Sequence, residues 1–283
     1  MLEIYSNQDL AVFIQQRKKE NKKIGFVPTM GALHDGHLSL VKKSCKENDI
    51  TITSIFVNPT QFNSTNDLKN YPRQVDNDIK QLLKTNCDAV YIPSEQDIYP
   101  PSYKGIEIRL NPIDQVMEGK HRPGHFNGVV NVVYRLFQLI QPDKAYFGRK
   151  DFQQVAVIRT MVRITETPVD IIMCETYREP NGLAMSSRNL LLSQTEKEKA
   201  SIIYHTLKLG SELSQKNTPA ETKEKMIRFF NDNARGLELE YLEIVASNDL
   251  QSINKTWVKG ATACIVAFCG SVRLIDNLEI YPS

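Results

Sequence analysis

IGFVPTMGALHDGHLSLVKKSCKENDITITSIFVN, residues 24–58, reads as an apolar strand, a tight turn, an amphipathic helix and a second apolar strand in direct succession. The turn holds Met30-Gly31-Ala32-Leu33-His34-Asp35-Gly36-His37. In an open parallel sheet such a turn lies at the carboxyl edge of the strand, where ligands bind, and the unpaired N–H groups of the next helix attract phosphate. His34 and His37 stand one helical turn apart, so their rings share a face and can donate to one phosphate chain. Gly36 has no Cβ, which lets a bulky anion approach the backbone. The pattern predicts a nucleotide site. A plainer reading is a pair of solvated residues or a local cap, and His-x-x-His is also half of a zinc site. Zinc needs more ligands, and no HExxH, CxxC or neighbouring His and Cys cluster follows.

Outward from this unit the alternation continues. A helix VDNDIKQLLKTN leads to a strand DAVYIP; after a stretch rich in Pro, Tyr and Gly comes IEIRL, expected as a strand. A helix GVVNVVYRLFQLIQ, a strand KAYFG, a helix DFQQVAVIRTMVRITE and a strand VDIIMCET complete the series. Apolar strands separated by helices imply parallel βαβ units, here a Rossmann-like, doubly wound α/β sheet over residues 1–176. YREPNGLAMSSRN breaks the alternation, so 177–189 reads as a linker or functional loop. Beyond it, Ser193 with Glu196 and Thr218 with Glu221 form capping boxes, the second with Pro219 at the first helical position. The runs LEYLEIVA, ATACIVAFC and VRLIDNLEIY follow, the last two as a hairpin across Gly270 and Ser271. Residues 190–283 are expected to form a smaller C-terminal α+β domain.

At 283 residues the chain has room for two domains. With 35 basic against 33 acidic side chains and no basic arm, extended nucleic-acid binding is not expected, because neutralising many phosphates needs clustered Lys and Arg. No basic tip precedes an apolar run at the start, and no run approaches eighteen apolar residues, so neither a signal peptide nor a membrane helix is expected. Cys45, Cys87, Cys174, Cys264 and Cys269 are scattered and odd in number, which fits small core residues in a reducing, cytoplasmic setting.

Four other constellations sit at or near strand ends. Asn58-Pro59-Thr60-Gln61-Phe62 offers neutral amides that orient a polar substrate without adding charge, or forms a simple Asn-Pro turn. Phe147-Gly148-Arg149-Lys150-Asp151 repeats the strand-to-helix geometry with a lysine placed for phosphate and Asp151 placed as a helix cap. Met185-Ser186-Ser187-Arg188-Asn189 packs hydroxyls and a guanidinium into one loop. Arg122-Pro123-Gly124-His125-Phe126 supplies a further cation or a positioning group.

PTMGALHDGH, FVNPTQF, RPGHF, FGRKDFQQ and MSSRN, in this order and with LIDNLEIY near the end, resemble the pantothenate synthetase (pantoate-beta-alanine ligase) family of HxGH nucleotidyltransferases. The resemblance spans nearly the whole chain. It implies ATP-driven condensation of (R)-pantoate with beta-alanine through a pantoyl-adenylate, releasing AMP and pyrophosphate, with ATP as substrate, Mg2+ present and a homodimer as partner state. It also implies that Met30, Gly31, Ala32, Leu33, His34, Asp35, Gly36 and His37 hold ATP, with Gly148, Arg149, Lys150 and Asp151 lining the same site. Met185, Ser186, Ser187 and Arg188 would close over the phosphates, and Tyr177 would meet adenine through its backbone. His34, His37, Lys150, Ser186, Ser187 and Arg188 are then the catalytic donors, His37 as proton donor. Gln61 and Gln154 would grip pantoate, and Gln61 also beta-alanine. Two departures stand out: Val75-Asp76-Asn77-Asp78 interrupts an acidic cluster and leaves Asp78 as a weak Mg2+ helper, and Arg149 replaces an expected Glu or Lys and reads as solvent-facing. Two rivals remain open: adenylylation of another small acid, and a nucleotide-binding regulator without turnover.

Overall fold

The computed structural model describes residues 1–281, so the last two residues of the expected C-terminal segment lie outside the described residues. Six strands form one parallel sheet: β1 (Leu2–Ile4), β2 (Ile24–Thr29), β3 (Ile50–Ile55), β4 (Ala89–Tyr91), β5 (Lys144–Gly148) and β6 (Asp170–Cys174). The intervening helices are α1 (Asn7–Lys19), α2 (Asp35–Glu47), α3 (Thr65–Asn70), α4 (Val75–Leu82), α5 (Glu95–Ile98), α6 (Met117–His121), α7 (His125–Ile140) and α8 (Phe152–Thr165). Every residue of β3 is buried, as expected for a strand covered on both faces.

The strand order is β1-β4-β3-β2-β5-β6. From β2 the chain steps outward to β3 and β4, then returns to lay β5 on the other side of β2. The connections leaving β2 and β5 therefore diverge, which opens a crevice at their carboxyl ends. The His34–His37 turn leaves β2 and the Arg149–Asp151 turn leaves β5, so the two motifs flank this switch point.

Beyond residue 190 come α9 (Gln194–Ala200), α10 (Ile202–Leu213), α11 (Pro219–Asn233) and an antiparallel sheet of β7 (Leu237–Val245), β8 (Thr262–Cys269) and β9 (Val272–Glu279). Both capping boxes form, and β8 and β9 pair as a hairpin with Cys269 opposite Val272. Helices α10 and α11 bury Leu207, Met226 and Phe230 against this sheet, whereas Val245, Leu250 and Cys264 join the core of the larger sheet. All five cysteines are free thiols. No helix of the described residues is long and apolar enough to cross a membrane.

Among the differences from the sequence reading, α1 was not expected, and two others concern the sheet. Leu2–Ile4 adds an edge strand beside β4 that the sequence did not reveal. IEIRL, residues 106–110, belongs to neither sheet. Its apolar alternation is real, with Ile106 and Ile108 packed on the core and Leu110 buried, but the Asn131 amide accepts from Ile106 N–H at 2.8 Å and donates to its carbonyl at 3.2 Å. One side chain thus takes the place of a neighbouring strand.

Candidate active site

The crevice is a cavity of about 1080 Å³, at the large end of ligand pockets, which run roughly 300–1,000 Å³. It gathers Met30, His34, Gly36, His37, Gln61, Gly148, Lys150, Asp151, Gln154, Tyr177, Met185, Ser186, Ser187 and Arg188 into one lining. Gly31, Ala32, Leu33, Asp35 and Arg149 do not line it.

The turn after β2 is held from below. Asp78, fully buried on α4, accepts the N–H of Ala32 at 2.9 Å and of Leu33 at 2.7 Å, one on each carboxylate oxygen. The sequence reading made Asp78 a weak metal helper; here both oxygens are committed to backbone and the residue lies outside the cavity wall. The His34 and His37 rings lie 4.0 Å apart between centroids, tilted by 30°. Both Nδ1 atoms are shut off from solvent without a hydrogen-bond partner among the described residues. Burial, reinforced by nearby Lys150, lowers His34 to about 4; burial and the neighbouring His34 hold His37 well below the usual range. Two neutral rings can stand side by side where two cations would repel. Gly36 lines the cavity and also makes room for imidazole, since a Cβ there would lie 2.8 Å from the His34 ring.

Helices α2 and α8 both start without a side-chain cap, at the two turns that flank the crevice. Asp151 occupies the cap position of α8, but its carboxylate makes no cap bond and faces the Lys150 ammonium at 3.4 Å. The Arg149 side chain is only 17% exposed and lies between Glu175 and Glu279, each at 3.4 Å, rather than facing solvent.

The 177–189 loop leans back over the β2 turn. Its base is tied by Met185 N–H donating to the Tyr177 carbonyl at 2.9 Å, while the Tyr177 ring is largely exposed. The Ser187 hydroxyl donates to the Ala32 carbonyl at 3.2 Å, and the Ser186 hydroxyl accepts from Arg188 N–H. The Arg188 guanidinium pairs with Asp67 of α3 at 3.0 Å, beside the buried Tyr71 ring.

The amide end is closely tied. Gln61 sits on a short turn whose backbone touches α7 at Gly128, where a Cβ would lie 2.4 Å from the Thr60 carbonyl. His125 Nδ1 meets the Gln61 carbonyl at 2.8 Å and its Nε2 meets Arg122 at 3.2 Å. A neutral ring, protonated at Nδ1, satisfies both contacts, and burial lowers His125 to about 4. Asn58 donates to the Gln61 side-chain oxygen at 3.2 Å and accepts from the Tyr99 hydroxyl at 2.8 Å. RPGHF is therefore a support for Gln61. Both adjacent glutamines line the cavity, but Gln153 is buried and its amide is spent on the backbone of Ile113, Val116 and Glu118, which leaves Gln154 as the unbonded one of the pair among the described residues.

Sequence reasoning missed the groups that reach in from the smaller sheet. Glu118 of α6 takes a bidentate pair with Arg273 at 2.7 and 2.6 Å and the Tyr241 hydroxyl at 2.8 Å. Burial pushes this carboxyl up, but Arg273 overrides it and brings it to about 2. Asn277 of β9 reaches the turn that carries Lys150. The only available signal was polarity at Asp276-Asn277 inside an apolar strand. Among the described residues, no group of three or more His, Cys, Asp and Glu side chains could hold a metal.

A Rossmann-like sheet with an HxGH turn, a lysine turn and a serine-arginine loop around its switch point defines a nucleotide-handling α/β enzyme. A family model for pantoate-beta-alanine ligase matches residues 3–279, and the chain belongs to that family. It is 47% identical over 279 residues to the pantothenate synthetase of Bacteroides thetaiotaomicron, covering 98% of each chain. The pantothenate synthetase structure from Thermus thermophilus superposes with a TM-score of 0.93 at 37% identity over all of both chains. The Francisella tularensis pantoate-beta-alanine ligase, solved with beta-gamma ATP and beta-alanine, matches with a TM-score of 0.79 at 39% identity, over 99% of this chain and 97% of that one.

Proposed function

We propose that this one cavity carries both halves of the family's reaction: pantoate is adenylylated at the histidine end, and beta-alanine then captures the acyl group. The overall activity is ATP-dependent condensation of (R)-pantoate with beta-alanine to pantothenate, with release of AMP and pyrophosphate. The observation that carries the residue assignment is the convergence of His34, His37 and Lys150 on one switch-point crevice whose other end is a braced, neutral amide.

In the first step a pantoate carboxylate oxygen attacks the α-phosphorus and the bond to pyrophosphate breaks. Negative charge grows on the equatorial and departing oxygens. His34, His37, Lys150, Ser186, Ser187 and Arg188 are the donors aimed at it, with His37 donating to the reacting phosphate, because fixed donors in a water-poor site stabilise developing charge without reorganising. The uncapped starts of α2 and α8 add to the same field. Gln61 and Gln154 hold pantoate through its hydroxyls and carboxylate, since a neutral amide does not repel an anion. In the second step the neutral amine of beta-alanine, placed beside Gln61, attacks the acyl carbon, AMP departs and the amine loses a proton. Closure of residues 185–188 keeps water from the acyl-adenylate.

Asp78 is assigned to the shape of the β2 turn, and the Mg2+ expected with ATP enters only as part of the nucleotide. We divide the chain into a nucleotide and pantoate domain, residues 1–176, a phosphate loop and a C-terminal domain from residue 190. We further take it to act as a homodimer, as the family resemblance implies, in the cytoplasm, which the scattered free thiols support; sedimentation of the purified chain tests the dimer.

Pyrophosphate–ATP exchange with a panel of small acids tests the whole reading. Exchange that depends on (R)-pantoate supports it, exchange with a different acid replaces the substrate, and ATP binding without exchange points to a regulator.

A further inference from the structure

The turn that presents Lys150 has little holding it within its own sheet: no side chain caps it, and among the described residues the Lys150 ammonium meets only Asp151 beside it. Its support comes from the last strand of the other sheet. Asn277, 3% exposed on β9, donates both amide hydrogens, one to the Arg149 carbonyl and one to the Lys150 carbonyl, each at 2.9 Å. Two residues on, Glu279 pairs with Arg149 on the same turn. Behind Asn277, the buried Asp276 accepts the Asn277 N–H at 2.8 Å and is gripped by Arg178 at 2.6 and 3.1 Å. Arg178 also donates to the Gly182 carbonyl and lies 4.0 Å from the centre of the Tyr204 ring, at the base of the serine-arginine loop. A continuous set of hydrogen bonds thus links the lysine turn, β9 and the loop.

We infer that Asn277 is a positioning residue for Lys150, fixing the lysine turn against the phosphate loop from outside the sheet that bears it. This rests on the reading of Lys150 as a phosphate donor. A misplacement of about 1 Å in a positioned group costs up to about 100-fold in rate, so the carboxamide, whose two amide hydrogens are both spent on the Arg149 and Lys150 carbonyls, governs turnover through the backbone of residue 150. A plain packing role for Asn277 would lower stability without singling out Lys150.

A double-mutant cycle separates the two. Asn277→Ala, Asn277→Asp, Lys150→Ala and the Asn277→Ala, Lys150→Ala pair are compared by pantoate-dependent pyrophosphate exchange at saturating substrates, by ATP titration and by thermal midpoint. Asn277→Asp keeps the volume and removes both donors, which covers the case in which the alanine variant does not fold. The expected result is a loss of exchange rate of about 30-fold in both single Asn277 variants with less than a threefold change in the KM for ATP, and less than a twofold further loss when Lys150 is already alanine. Equal losses in both backgrounds overturn the inference. If the unaltered protein shows no pantoate-dependent exchange, the functional reading fails by itself, and the same cycle read in ATP affinity decides the positioning claim: coupling between the two residues supports it and additivity overturns it.

Discussion

At one end of the cavity the Nδ1 atoms of His34 and His37 are buried without partners among the described residues. At the other, Gln61 is braced through its carbonyl by His125 and Arg122 and through its side chain by Asn58. All three imidazoles are pushed toward neutrality by burial, yet of the three only His125 has both ring nitrogens engaged. A buried polar atom without a partner raises the free energy of the folded state. On the proposed assignment, the histidine end is the one left for the nucleotide to complete, while the amide end is assembled beforehand to hold a small acid.

The strongest attack on this contrast is His37→Ala. Loss of one fixed donor costs about 2.7–4 kcal/mol, a fall of about 10²–10³-fold in exchange rate, and because His37 Nδ1 bonds to none of the described residues the thermal midpoint stays within a few degrees. An unchanged rate removes His37 from the donors; a collapsed fold shows that the phosphate end was structural. Next comes Gln61→Ala, expected to raise the pantoate requirement by about 10-fold, the scale of one hydrogen bond to a charged group, with the ATP requirement nearly constant. Equal changes in both would erase the division between the ends. His125→Ala should reverse the His37 pattern. It leaves the Gln61 carbonyl and Arg122 without their buried partner, so stability falls by about 1–3 kcal/mol, read by denaturant titration, while pantoate affinity weakens several-fold.

The smallest effect is in pH. His34 and His125 titrate near 4 in the fold, and His37 below its usual range; in the unfolded chain histidine titrates near 6.5. Below that value the unfolded chain binds more protons than the fold, so stability is fully present above about pH 6.5 and declines as pH falls toward 4. Denaturant titrations across this window should show the slope flatten in His125→Ala, and an unaltered slope would mean that another group carries it.

The doubly wound sheet was legible because each βαβ unit carries its own period, and the HxGH turn because its residues are contiguous. Ile106–Leu110 misled for the same reason: alternation reports a covered face, while the partner of its backbone is Asn131, a residue far along the chain. Leu2–Ile4 went unseen because three residues with one buried side chain make no pattern. Within the site, Asp78 was noticed for its charge, but its duty, two backbone amides of another segment, is a fact of tertiary contact. The stretch with His125 was read as a cation or a positioning group, but what it positions could not be read, and Asn277 escaped altogether, for each acts on a carbonyl more than sixty positions distant in sequence.

The pairing of Arg188 with Asp67 bears on how nucleotide affinity responds to salt. If Arg188 takes phosphate as proposed, an arginine already neutralised by a carboxylate gains no counter-charge; it trades one for another, and Asp67, 40% exposed, would return to water. Added electrolyte weakens the outgoing and incoming partnerships alike. Raising ionic strength should therefore loosen ATP less than the number of cationic contacts would suggest, and Asp67→Asn should restore the steeper dependence.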